Sequence, residues 1–102
     1  MKEWCRDDYE ECLEEGKVLL KVGAEFCKPC KELEGKLEAV EADYPYQFAA
    51  IDVEEIAAEI ATLEVSELPT TIFFVDGEEQ GRFEGCLDNG TLQEYLSSWA
   101  SL

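Results

Sequence analysis

Two short apolar runs joined by a helical pattern restrict the fold of this chain more than any other feature. The first run lies within Lys17–Glu25 and the second within Tyr46–Val53, and both are typical of strands buried on both faces. Between them, Lys28–Asp43 carries leucine and valine at helical spacing. Two strands connected through a helix pair in parallel by a crossover. The sequence therefore predicts an α/β fold around a parallel pair of strands.

Three further segments have helical spacing. Lys2–Glu15 is the first and Glu54–Leu63 the second, each with apolar residues on one face. Leu92–Trp99 closes the chain as an amphipathic helix, and Thr91 with Glu94 predicts a capping box at its start. Helices thus come before, between and after the strands, so we expect them on both faces of a sheet.

A hairpin completes the predicted sheet. Thr70–Val75 is rich in β-branched and aromatic residues, Asp76-Gly77 is typical of a tight turn, and Gln80–Gly85 supplies the return strand. Because a hairpin is antiparallel, it adds an antiparallel part to the parallel pair. We therefore expect one domain over residues 1–102, with a mixed four-stranded central sheet, room for an extra edge strand, and flanking helices.

The charge balance excludes two classes of partner. The 102 residues include 25 acidic and 8 basic side chains, which gives a net charge of −17. Nucleic acid and anionic membrane surfaces would repel such a chain. The acidity has three explanations that the sequence leaves open: solubility through self-repulsion, electrostatic steering towards a basic partner, or the acidic proteome of a salt-adapted source.

Neither a membrane span nor a targeting segment is recognisable. No stretch approaches the ~18–20 apolar residues that cross a bilayer, and Met1–Glu15 lacks the positive start and apolar run of a signal peptide. We therefore expect a cytoplasmic protein, unless a leader has been removed. In a reducing compartment, an odd number of cysteines, here five, argues against a structural disulfide framework. The absence of histidine removes serine–histidine and cysteine–histidine catalysis.

Cys27-Lys28-Pro29-Cys30 lies where the first predicted strand passes into a helix. A cysteine at a helix N-terminus faces free backbone N–H groups and the positive end of the helix dipole, which stabilise its thiolate. Cys27 has this position, whereas Cys30 lies one turn deeper and close enough to form a disulfide with it. The pair is therefore predicted to be redox-active. A zinc site is the alternative, but the chain has no histidine and no second cysteine pair to supply the remaining zinc ligands.

The other three cysteines are interpreted mainly as structural residues. Cys5 and Cys12 are seven residues apart on one predicted helix, which separates them by about 10 Å of helical rise. A disulfide tolerates at most ~7 Å between Cα atoms, so we interpret both as small buried residues. Cys86 is interpreted as a filler next to Gly85, with a regulatory or dimer-forming thiol as the alternative.

Three separated motifs follow the order of the predicted elements. Phe26-Cys27-Lys28-Pro29-Cys30-Lys31 combines an aromatic residue with the cysteine pair, and Leu68-Pro69-Thr70 precedes the third strand. Gly85 follows the return strand, and Asp52 ends the second strand. In residue type, order and position, these residues resemble the thioredoxin family, and the similarity covers most of the chain.

The resemblance implies both the fold and the chemistry. Cys27 is expected to attack a disulfide in a client protein, and Cys30 to resolve the mixed disulfide, which leaves the two cysteines bonded to each other. The resemblance also implies a cis peptide bond before Pro69. No bound cofactor or metal is required, whereas an upstream reductase like thioredoxin reductase is, and a monomer is expected. The client backbone is expected to bind to Phe26, Leu68, Pro69 and Gly85.

The chain departs from the family pattern beside the cysteines. Gly23 and Phe26 stand where the family usually has tryptophan. Lys21 replaces the family's buried aspartate, six residues before Cys27, and the lysine that commonly accompanies that aspartate aligns with Phe48. The usual buried acid–base pair is therefore missing, and a cation stands in its place.

Lys21 allows three interpretations. Its ammonium can reach the surface along a buried stem. It can stay charged near the cysteines and stabilise their thiolates, which would make the protein a weaker reductant. It can also lose its proton on burial and act as a base. Between the two functional interpretations we favour the charged lysine, because 25 carboxylates favour its protonated form, and we predict that Lys21 acts with Cys27 and Cys30.

The sequence thus indicates a thioredoxin-like protein-disulfide reductase. Two alternatives stay open: a non-catalytic binding module with the same fold, and a more oxidising exchange protein dedicated to one partner. Turnover of a protein disulfide distinguishes the binding module from the two redox proteins, and the redox equilibrium with glutathione distinguishes those two from each other.

Overall fold

The computed structural model describes all residues from Met1 to Leu102. Its five strands are β1 (Lys2–Trp4), β2 (Lys17–Gly23), β3 (Gln47–Asp52), β4 (Thr70–Val75) and β5 (Glu78–Glu84). They form one sheet in the order β1-β3-β2-β4-β5. The helices are α1 (Arg6–Cys12), α2 (Lys28–Val40), α3 (Ile60–Leu63) and α4 (Asn89–Ala100), with 3₁₀ turns at Glu41–Asp43 and Val53–Glu59.

The sheet is mixed, as the sequence predicts. Both β1 and β2 pair with β3 in parallel, whereas the β2–β4 and β4–β5 pairs are antiparallel. Asp76 and Gly77 join the last two strands with φ angles of 51° and 84°, and positive φ at both residues suits the twist of a two-residue hairpin. The predictions of an α/β fold, a parallel crossover and a hairpin are therefore confirmed.

The start of the chain differs from the prediction. A helix over Lys2–Glu15 is wrong at its N-terminal end, because Lys2–Trp4 is an edge strand and the helix begins only at Arg6. The short strand pairs with β3 and buries the indole of Trp4 in the core. This packing against residues far along the chain outweighs the local helical spacing.

Two other helix boundaries also differ. Glu54–Leu63 is mostly a 3₁₀ turn, and only Ile60–Leu63 is α-helical. The last helix is capped by Asp88, whose carboxylate accepts a hydrogen bond from the backbone N–H of Thr91 at 2.9 Å. The predicted capping box of Thr91 and Glu94 is therefore wrong, since aspartate is among the strongest N-cap residues and starts the helix earlier.

The helices divide between the two faces of the sheet. On one face, α2 and α4 pack on a core that includes Leu19, Phe73 and Trp99. The rings of Phe73 and Trp99 stack with centroids 5.2 Å apart, which attaches α4 to the sheet. On the other face, apolar residues of α1 and α3 cover a second core.

None of these helices has the length and the apolar character that a membrane crossing requires.

Candidate active site

The cysteine pair lies at the junction of β2 and α2. Pro29 occupies the first turn of α2, where a proline removes no helical hydrogen bond. Cys27 is the N-cap residue of α2, and its Sγ accepts a hydrogen bond from the backbone N–H of Cys30 at 3.2 Å. Cys27 and Cys30 form a disulfide, with their Cα atoms 5.2 Å apart. The predicted position of Cys27 at a helix start is thus confirmed.

The two sulfurs of the pair differ in accessibility. Cys30 is 1% exposed, whereas Cys27 is partly exposed. Phe26 is 94% exposed, so an aromatic ring projects from the surface next to Cys27. A partner protein can therefore approach Cys27 more readily than Cys30.

Three chain segments meet at the end of the sheet that holds the disulfide. Val22 of β2 pairs with Thr70 at the start of β4, and Thr70 pairs with Glu84 at the end of β5. The Leu68–Pro69 peptide bond is cis, as the resemblance implies. Gly85, with a φ of +78°, donates its backbone N–H to the carbonyl of Pro69 at 2.8 Å. Two of the residues that the sequence predicts to bind a client, Pro69 and Gly85, thus lie side by side near the C-terminal end of β2.

Lys21 points into a cavity behind the cysteines. Its side chain is 6% exposed, and its Nζ donates a hydrogen bond to Oε2 of Glu34 at 3.2 Å. The cavity has a volume of about 260 Å³ and is also lined by Cys30 and Gly23. A methyl group on Gly23 would lie 3.1 Å from Cys30 Sγ and 3.4 Å from Lys21 Cε. Because Gly23 has no side chain, Lys21 and Cys30 flank the same open space.

The position of the Lys21 ammonium bears on the three interpretations of this residue. The ammonium does not extend into solvent, since the side chain is buried and ends on a carboxylate. The ion pair with Glu34 supports a charged lysine over a neutral base. Because the partner carries the opposite charge, the cysteines face an ion pair instead of an isolated cation.

Three carboxylates of this cavity are not among the residues predicted from the sequence, namely Glu34, Glu3 and the exposed Glu25. Glu34 follows Cys30 by four residues on α2, and this spacing is the signal by which it could have been found. Glu3 enters from β1, an element that the sequence pattern does not reveal. Desolvation raises the pKa of Glu3 from its ordinary value, the nearby Glu34 and Asp52 add to the rise, and Lys21 opposes it.

The remaining three cysteines are free thiols. Cys12 packs against the core on the α1 face and is partly buried. The prediction that Cys5 is buried is wrong: Cys5 is exposed, because it precedes α1 as its N-cap residue and does not lie on an apolar helix face. Cys86 is partly buried next to Gly85 and packs against the core under α2 and α4.

Other cavities and clusters lie away from the disulfide. A larger groove of about 570 Å³ lies between α2 and α4 and has no cysteine in its lining. No group of three or more cysteine, aspartate and glutamate side chains converges where it could hold a metal ion. The Cys27–Cys30 disulfide and the smaller cavity behind it are therefore the candidate site.

Known proteins share this sequence pattern and fold. The family model described as Thioredoxin matches residues 1–98. The thioredoxin of Chlamydia muridarum is 34% identical over 93 residues, which cover 90% of this chain and 91% of that protein. A thioredoxin of Staphylococcus aureus strain Mu50 is 33% identical over 91 residues, which cover 87% of this chain and 88% of that protein. The X-ray structure of Fasciola hepatica thioredoxin matches with a TM-score of 0.81 at 28% identity, over 96% of this chain and 98% of that chain.

The family match and the chemistry of the site concern the same residues. Residues 1–98 include the whole sheet and both cysteines of the disulfide. A dithiol that closes to a disulfide transfers two electrons to a second disulfide through a mixed intermediate. This chain belongs to the thioredoxin family and is a thiol–disulfide oxidoreductase.

Proposed function

We propose that this protein reduces disulfides in client proteins, with Cys27 as the nucleophile and Cys30 as the resolving thiol. The contrast in exposure between the two sulfurs carries the proposal, since Cys27 is partly exposed and Cys30 is buried. The helix dipole and the backbone N–H of Cys30 also stabilise a thiolate at Cys27. Cys27 therefore attacks the client, and Cys30 then displaces the reduced client from the mixed disulfide.

The client is proposed to bind beside Cys27, on the loops that carry Phe26, Leu68–Pro69 and Gly85. Phe26 offers an exposed aromatic ring, a side chain that is enriched in protein interfaces. The backbone hydrogen bond between Gly85 and Pro69 fixes the separation of two of the loops. These features support a preformed groove that receives an extended client segment next to the nucleophile.

The other components of the cycle are separate proteins. Thioredoxins act on disulfide-containing targets and are reduced by thioredoxin reductase, and such a reductase is the electron donor proposed here. Residues 1–102 are proposed to act as one domain and as a monomer in the cytoplasm, where thiols stay reduced. The net charge of −17 argues against clients that are bound to nucleic acid or to an anionic membrane, because these surfaces would repel the protein.

Insulin reduction tests this function against the binding-module alternative. With dithiothreitol as the electron source, catalytic amounts of the protein should accelerate precipitation of the insulin B chain. Cys27→Ser is the control, because it removes the nucleophile and keeps the client groove. Precipitation at the uncatalysed rate with the wild-type protein would contradict a reductase and support a binding module.

Phe26→Ala is expected to weaken client binding without slowing the reaction with a small disulfide. Truncating an aromatic residue at an interface centre costs more than ~1 kcal/mol of binding, so we expect KM for insulin to rise about tenfold. The rate with oxidised glutathione should stay unchanged. Tyr95→Ala is the control, since Tyr95 is an exposed aromatic residue on α4 that is not among the residues proposed to bind the client. An equal rise of KM in both variants would contradict the role of Phe26.

A further inference from the structure

The thiol of Cys30 must lose its proton before it can attack Cys27 in the mixed disulfide, and the surroundings of Cys30 disfavour this loss. The thiolate is the attacking species in disulfide exchange, and burial in a medium of low dielectric constant disfavours the charged form of a thiol. Cys30 is 1% exposed, and the stabilising helix start acts on Cys27. A proton acceptor next to Cys30 would remove this obstacle.

The cavity behind Cys30 contains a suitable acceptor. Glu34 follows Cys30 by one helical turn on the same side of α2, a spacing that puts Cβ atoms about 5–6 Å apart. Both residues line the cavity, whose volume of about 260 Å³ is sufficient for water to connect a thiol with a carboxylate. The Glu34 side chain is 31% exposed, so a proton that it accepts can also exchange with solvent.

Lys21 fixes the carboxylate of Glu34 against the sheet. The ion pair joins the middle of α2 to the middle of β2, and the lysine side chain is buried. Thr71 of β4 stands directly opposite Lys21 in the sheet, and its buried hydroxyl has no hydrogen-bond partner. The sheet face behind α2 thus presents an ammonium paired with one carboxylate, and a hydroxyl without a partner on the neighbouring strand.

The other charged groups of the cavity are less suitable acceptors. Glu3 also lines the cavity, but it is exposed, and its backbone on β1 lies two strand spacings, about 10 Å, from that of Lys21 across Ala50 of β3. Asp52 uses an oxygen to accept the backbone N–H of Glu54 at 2.8 Å. The remaining charged residues in the lining are exposed, namely Glu25 and Lys31.

We propose that Glu34 is the proton acceptor for Cys30 and that Lys21 is the positioning residue that holds its carboxylate. This assignment rests on the proposed roles of Cys27 and Cys30. It gives a function to an ion pair whose lysine is buried, since burying a charge for an ion pair contributes little net stability.

The proposed step conserves atoms and electrons. In the mixed disulfide, the Cys30 thiol passes its proton to Glu34, and Cys30 Sγ attacks Cys27 Sγ. The bond between the two Sγ atoms forms, and the bond from Cys27 Sγ to the client sulfur breaks with its electron pair on the client. The client thiolate then takes the proton from Glu34. The dithiol is oxidised by two electrons, and the client disulfide is reduced by two.

A single turnover with oxidised glutathione measures this step. The reduced protein is mixed with oxidised glutathione and quenched with acid, and mass spectrometry follows the glutathione adduct on Cys27 and its conversion to the internal disulfide. Glu34→Gln removes the carboxylate. Glu32→Gln is the matched control, because Glu32 is exposed on the same helix and lies outside this cavity. We expect Glu34→Gln to form the adduct at least as fast as the control and to resolve it about a hundredfold more slowly near pH 6.

The pH profile separates proton transfer from a structural defect. At alkaline pH, hydroxide can remove the thiol proton without a carboxylate acceptor, so the rates of the two variants should converge as the pH rises, whereas a packing defect would slow Glu34→Gln at every pH. Glu34→Asp keeps a carboxylate and should recover part of the rate. If Glu34→Gln folds poorly because the Lys21 ammonium is left unpaired, the double variant with Lys21→Met removes that charge and should show the same slow resolution.

Resolution by Glu34→Gln at or above the control rate near pH 6 would overturn the proposal. Electrostatics alone predicts that result, because losing the negative charge leaves Lys21 unopposed and stabilises the Cys30 thiolate. A failure of the proposed function is distinguishable: in that case Cys30→Ser would not accumulate the adduct on Cys27, whatever residue occupies position 34.

Discussion

Replacing Cys30 with serine is expected to trap the protein on its client as a mixed disulfide at Cys27. Serine keeps the approximate size of the resolving residue but cannot displace the client, so the covalent complex persists until another thiol attacks it. After reaction with a disulfide client, nearly all Cys30→Ser protein should migrate as the complex on a non-reducing gel. Cys27→Ser should form almost none, because its remaining redox thiol is buried.

The free cysteines supply the control for this trapping experiment. Cys5 is exposed, so replacing it with serine in the Cys30→Ser protein tests whether exposure alone is sufficient for exchange. The amount of trapped complex should stay the same, because Cys5, although it is also a helix N-cap residue, precedes α1 and is not one of the residues proposed to contact the client. Faster alkylation of Cys30 than of Cys27 in the reduced wild-type protein would contradict the assigned roles.

Elements whose local pattern agrees with their packing could be predicted from the sequence. The apolar run of β2, the helical spacing of α2 and the Asp76-Gly77 turn each satisfy a local preference and the sheet together. β1 could not be predicted in this way. Three residues are too few to show an alternating pattern, and the strand exists because Lys2–Trp4 pairs with Ala49–Ile51.

The residues of the candidate site also differ in whether a local sequence pattern predicts them. Cys27 was recognisable because its chemistry depends on a local feature, the start of a helix after a buried strand. The partner of Lys21 was not, because any of 25 carboxylates could be chosen from composition alone. Only the crossover from β2 to α2 brings Glu34 to Lys21. Once this packing is known, the four-residue spacing from Cys30 on α2 reduces the number of carboxylates that could pair with Lys21.

Replacing Lys21 with methionine is expected to raise the pKa of Cys27 and to make the Cys27–Cys30 couple more reducing. Methionine fills a similar volume without a charge, and Glu34 is partly exposed and stays solvated, so the fold should persist. Without the ammonium of Lys21, only the exposed Lys31 opposes the carboxylates of the cavity, and these carboxylates disfavour a thiolate. A rise of one pKa unit corresponds to ~1.4 kcal/mol, and about 30 mV of potential corresponds to a similar energy.

Lys17→Met is the matched control for this prediction. It removes the same charge from the same strand, at the end of β2 that lies away from the cysteines, where salt screens its effect on the thiolates. Ultraviolet titration of the thiolate gives the pKa, and equilibrium with glutathione gives the potential; Lys17→Met should change neither. A lowered pKa in Lys21→Met would contradict a stabilising cation. An unchanged pKa would mean that Glu34 fully neutralises Lys21, and that the start of α2 alone activates Cys27.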